Sequence, residues 1–153
     1  DDQIRRAAAL GIIASMQPAF EHFWGGPDGM YAARLGDRWR TTNRLRTILD
    51  SGMVIAGGSD TNVTPADPLL GIHAAVNHPN ADQRVTPKQA LRMMTLDAAY
   101  AAFNDTRHGS ISVGKEASFA VLNADPLTVP ADKICEIEVD ETWSRGRRTW
   151  LRD

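Results

Sequence analysis

The chain has 153 residues, 42% of them hydrophobic and 24% charged, which suits a globular domain with one modest core. Seventeen basic and nineteen acidic residues are interspersed, and the formal charge of -2 offers no electrostatic case for nucleic acid or an anionic membrane. Cys135 is the single cysteine, which excludes an intrachain disulfide and a thiolate zinc cluster, and no run approaches a transmembrane span.

No signal-peptide core opens the chain, and the expected compartment is the reducing cytoplasm. The start at Asp1-Asp2-Gln3, without methionine, gives the expectation of a piece cut from a longer protein. Asp1 to Leu10 reads as a helix end, with Gly11 as its stop. Ile12 to Met16 is an apolar run short enough for a buried strand, closed by Gln17-Pro18. Residues 18–40 form a long connection rich in aromatics, with a short helix expected at Met30 to Leu35. Thr41 or Thr42 is expected to cap a helix reaching Asp50, with Leu45, Ile48 and Leu49 on its apolar face. A second buried strand is expected at Met53 to Ala56, so residues 12–56 read as a βαβ unit.

Gly57-Gly58-Ser59-Asp60 follows that strand. In α/β folds the loops leaving the strand ends form the mouth of the site. A carboxylate there can bind a metal or take a proton from water, or it can simply satisfy turn amides. The residues alone leave both readings open for Asp60.

Beyond it, Leu69 to Val76 reads as a helix capped by Asp67. Thr86-Pro87-Lys88-Gln89 is a capping box opening a helix with a stripe at Leu91, Met94, Ala98, Ala101 and Ala102, running out to Phe103 with a break at Thr95. From His108 the pattern turns to glycines and alternating segments, with strands expected at Phe119 to Leu122, Glu136 to Trp143 and Thr149 to Leu151. That shift sets an expected boundary between residues 1–107 and 108–153.

Several stretches together, in this order and spacing, carry a resemblance. They are IIASMQPAF at 12–20, YAARLG at 31–36, ILDSGMVIAGGSD at 48–60, DPLLGIHAAV at 67–76, GSISVGK at 109–115, ADPL at 124–127 and TWSRGRRTW at 142–150. The chain resembles the C-terminal part of the amidohydrolase superfamily, in the branch that includes N-substituted formamide deformylases. Ser118 and Asn123 depart from it, standing where the family favours acidic residues. The resemblance implies an α/β fold: the last two strands and helices of a (β/α)8 barrel in residues 1–107, then the C-terminal strands of a small β-sandwich in 108–153. It implies a divalent metal, zinc, in the full-length parent, and a small amide-type substrate whose carbon–nitrogen bond is hydrolysed by metal-activated water. Asp60 would be both metal ligand and proton acceptor.

The family's other ligands would precede Asp1, so the expectation is a chain that is inactive and holds no metal tightly by itself, and that forms a homo-oligomer or associates with the missing N-terminal portion. His22, Phe20 and Trp24 are the candidate substrate contacts, with Phe23 and Trp39 as further candidates for an apolar wall. Ser59 is a candidate to orient Asp60. His73 reads as structural, His78 and His108 as solvated, Cys135 as an inert thiol in a strand, and Arg145, Arg147 and Arg148 as a solvated turn. Two other function classes compete: a non-catalytic split or degenerate module that binds a partner chain, and a small ligand-binding α/β domain.

Overall fold

The computed structural model describes residues 1–153. After helix α1 (Asp2–Ala9), two short strands, β1 (Ala14–Met16) and β2 (Ile55–Gly57), pair in parallel with Ala14 opposite Ile55 and Met16 opposite Gly57. Parallel pairing needs a crossover, and residues 17–54 supply it with α2 (Ala19–Trp24), α3 (Met30–Leu35), a 3-10 turn (Gly36–Thr41) and α4 (Leu45–Asp50). Helices α5 (Pro68–Val76), α6 (Pro87–Met94) and α7 (Leu96–Ala101) follow. Strands β3 (Phe119–Leu122), β4 (Val139–Ser144) and β5 (Arg147–Leu151) then form an antiparallel sheet in chain order. No helix is long and apolar enough to cross a membrane.

Local chemistry explains most helix starts. Asp67 Oδ1 accepts hydrogen bonds from the amides of Leu69 (2.9 Å) and Leu70 (3.1 Å), with Pro68 opening α5. At α6 the Gln89 amide donates to Thr86 Oγ1 (3.3 Å) while the Thr86 amide donates to Gln89 Oε1 (2.9 Å), the reciprocal capping box. The break between α6 and α7 falls at Thr95, whose hydroxyl donates back to the Leu91 carbonyl at 2.7 Å. The core gathers Leu45 and Ile48 of α4, Ile55 of β2, Ile72, Ala75 and Val76 of α5, Ala90 and Met93 of α6, and Ile134. Met94 wedges between β2 and α5: a Cβ added at Gly57 would lie 2.7 Å from its Sδ, and one at Gly71 would lie 2.2 Å from its Cε.

Several expectations are corrected. The strands begin two residues later than the apolar runs, because Ile12 is half exposed and Met53 packs into the core ahead of the ladder. Thr41 and Thr42 do not cap α4. Their hydroxyls donate back to the carbonyls of Arg38 (2.8 Å) and Trp39 (2.6 Å), closing the 3-10 turn instead. The stripe on α6 and α7 is turned by the break: Ala90 and Met93 are fully buried, while Ala102 and Phe103 are exposed. The strand expected from Glu136 starts at Val139, because Ala131–Glu136 is a 3-10 turn that inserts Ile134 into the core beside α5. Cys135 therefore sits, exposed, in that turn.

Arg145 is not merely solvated. Its Nε donates to Glu116 Oε2 at 3.1 Å, and Arg107 Nη2 donates to Glu116 Oε1. His108 Nε2 lies 3.7 Å from the same carboxylate, which ties the turn between β4 and β5 to the segment that follows α7.

Candidate active site

The ladder between β1 and β2 ends with the Gly58 amide donating to the Met16 carbonyl at 2.9 Å. From this end one strand exits into α2 and the other into the turn carrying Asp60. A concave space of about 220 Å³ opens here, lined by Ala19, Gly57, Gly58, Ser59, Asp67 and Gly71 among others. The two glycines that the sequence places after the strand form its floor.

Asp60 stands three residues beyond β2, exposed, with φ at 53°, a left-handed conformation that aspartate tolerates better than most residues. It is not among the residues lining the concave space, although its neighbour Ser59 is. Ser59 does not orient Asp60: its hydroxyl pairs with Thr61 Oγ1 at 2.7 Å, and the buried Thr64 hydroxyl donates to the Ser59 carbonyl. This polar stitching shapes the turn and leaves the Asp60 carboxylate without a hydrogen bond or ion pair from the rest of the chain.

Phe20 and Trp24 sit one helical turn apart on α2 and pack edge to face, with ring centroids 4.8 Å apart. Neither lines the space beside Asp60. His22 projects to another side of α2, towards α5, with its ring 5.6 Å from that of His73. It borders a second cavity of about 250 Å³ with Glu21, Gly25, His73, Asn77 and Pro79. Trp39 is buried, with the Arg40 guanidinium 4.7 Å over its ring, and walls neither space. The structure thus separates His22 from Asp60 and joins it to His73.

One feature escapes the sequence reading. His78, expected in solvent, is fully buried opposite Glu21, which is also buried. Asn43 Nδ2 donates to Glu21 Oε1 at 3.0 Å, and the Asn80 amide donates to His78 Nδ1 at 3.1 Å. That leaves Glu21 Oε2 and His78 Nε2 facing each other at 4.0 Å, each without a hydrogen bond. Burial pulls the His78 imidazole below its ordinary range, against the opposing pull of Glu21. Burial, with Glu21 adding to it, raises the Tyr31 phenol.

No set of three histidine, cysteine or carboxylate side chains comes together anywhere in the chain. A catalytic zinc takes three protein ligands. The lone carboxylate of Asp60 can serve as one of them, so these 153 residues do not by themselves fit a resident catalytic metal.

The model of the amidohydrolase family matches residues 1–150. The chain is 30% identical over 158 residues to amidohydrolase YtcJ of Bacillus subtilis, covering 96% of this chain and 29% of that protein. It is 30% identical to the N-substituted formamide deformylase of Arthrobacter pascens, covering 94% of this chain and 28% of that protein. Among solved structures, it is 27% identical to a metal-dependent hydrolase from Pyrococcus horikoshii, with a TM-score of 0.72 over 86% of this chain and 28% of that one. An adenosine deaminase from Xanthomonas campestris with bound zinc shares the fold, at 19% identity and a TM-score of 0.70 over 98% of this chain and 34% of that one. The chain spans less than a third of the length of the curated relatives it matches.

Proposed function

The chain belongs to the amidohydrolase family, and from that premise we propose that it forms part of a metal-dependent hydrolase acting on non-peptide carbon–nitrogen bonds of small amide-type substrates. In this reading residues 1–107 are the last two strands and helices of the barrel, and residues 108–153 belong to the β-sandwich. The parallel pair and the separate antiparallel sheet support that division. The observation that carries the functional reading is the free carboxylate of Asp60, held on a shaped turn just past the end of a buried parallel strand. There Asp60 Oδ accepts a proton from the water that attacks the substrate carbonyl. A divalent metal, zinc, belongs to the assembled site, with Asp60 as one ligand and the others contributed from outside these residues. Phe20 and Trp24 are proposed to meet the substrate from α2, whereas His22 is turned away towards His73.

Surface area supports a partner. The chain exposes 9354 Å², against roughly 7,600 Å² for a compact monomer of its size. The excess of about 1,700 Å² is about twice what one partner contributes to a standard interface. Val113, Ile111 and Phe103 are among the residues left uncovered. A homo-oligomer, or association with the remainder of the barrel, would cover such surface.

The test joins these 153 residues to the Arthrobacter pascens deformylase in place of its matching segment and follows hydrolysis of an N-substituted formamide. Asp60→Asn is expected to lower turnover by about 10²–10⁴-fold with an unchanged thermal midpoint. Equal turnover in the variant would remove the proton-acceptor role.

A further inference from the structure

The second cavity has features that the reading of Asp60 does not use. His22 and His73 come from two packed helices, with ring centroids 5.6 Å apart and planes at 77°. With metal–nitrogen bonds of about 2.0–2.1 Å, two imidazoles sharing one ion at tetrahedral to trigonal angles place their ring centres roughly 5.2–5.5 Å apart. The observed spacing lies within a small side-chain adjustment of that value. Both amide hydrogens of Asn77, beside His73 Nδ1 at 3.3 Å, go to the carbonyls of His73 (2.9 Å) and Ala131 (2.8 Å). That leaves Nδ1 of His73 without a donor from Asn77, in a ring that lines the cavity.

The cavity wall is also acidic. Glu21 lines it, is buried, and has an Oε2 without any hydrogen-bond partner. Gly25 keeps that oxygen at the wall, since a Cβ there would lie 2.3 Å from it. A carboxyl group at a cavity wall favours a cation nearby. The space of about 250 Å³ holds an ion with several waters, each needing about 30 Å³. His22 is exposed, which provides an entry path.

We propose that His22 and His73 chelate a borderline divalent transition-metal ion such as zinc, at a site separate from Asp60, with Glu21 supplying negative charge at the cavity wall. No third residue completes the set, so water fills the remaining positions and the ion exchanges readily.

The experiment titrates zinc, and cobalt as its spectroscopic probe, into the purified 153-residue chain. One ion per chain is expected, with a cobalt spectrum of nitrogen and oxygen ligation and no thiolate band. His22→Ala, which alters an exposed side chain, and His73→Ala should each weaken binding by at least about tenfold. Asp60→Asn and Cys135→Ser should bind as the parent does, which separates this site from the proposed active site. Absence of binding, binding unchanged in both histidine variants, or loss of binding in Asp60→Asn or Cys135→Ser would overturn the proposal.

Discussion

Replacing His78 with glutamine removes the titrating half of a buried pair. In the folded chain His78 is 0% exposed and Glu21 is 1% exposed, and burial holds the imidazole below its ordinary value of 6.5 despite the carboxylate. In the unfolded chain the same ring takes a proton near pH 6.5. Below that pH the unfolded state therefore binds more protons than the folded one. Stability is full above the unfolded value and is lost as pH falls towards the depressed folded value. While the folded ring stays neutral, the loss between about pH 6.5 and 5.5 reaches at most about 1 kcal/mol. For a chain of this length that is about 2–4 °C in thermal midpoint. Thermal unfolding followed at about pH 7.5, 6.5 and 5.5 reads it directly. The midpoint of His78→Gln should fall less than that of the parent over the last step, by about 2–4 °C. His73, also depressed, accounts for part of the slope that remains. An identical pH dependence in parent and variant would refute the argument from burial.

The purified chain should hydrolyse no amide, since it carries one proposed ligand for the catalytic metal; measurable turnover would show that the site is complete within it. Light scattering should find an oligomer, reflecting the uncovered apolar surface, and a monomer with a cooperative thermal transition would remove the reading as part of a barrel. Gly25→Ala places a Cβ 2.6 Å from the Glu21 carbonyl oxygen as well as against its carboxylate. It should destabilise by about 1–3 kcal/mol in chemical denaturation, and an unchanged midpoint would mean that the end of α2 adjusts freely.

What was legible in the sequence is what local chemistry decides. Asp67 and Thr86 cap their helices because their partners lie within three residues. Thr95 breaks its helix through its own hydroxyl. The two apolar runs could be read as a parallel pair because the helix-bearing stretch between them is long enough for the crossover that such pairing needs. What was not legible depends on partners distant in sequence. His78 stands among Asn77, Pro79 and Asn80, neighbours that suggest solvent, and only the return of α2 brings Glu21 over it. Ile134 looks like the approach to a strand until α5 offers it a place in the core. Around Asp60 the turn and the glycines could be read, but the direction of His22 could not, because one helical position decides whether a side chain faces the Asp60 end or α5.

The wedge of Met94 between Gly57 and Gly71 has a consequence for how this sequence can change over generations. The three positions share one volume, so a change at one is felt at the others. A larger residue at 71 must displace the flexible end of Met94, and a shortened 94 leaves a void that the two glycines cannot fill. Changes at these positions should therefore be correlated among descendants of this chain, and the wall beside the Asp60 turn inherits that restraint.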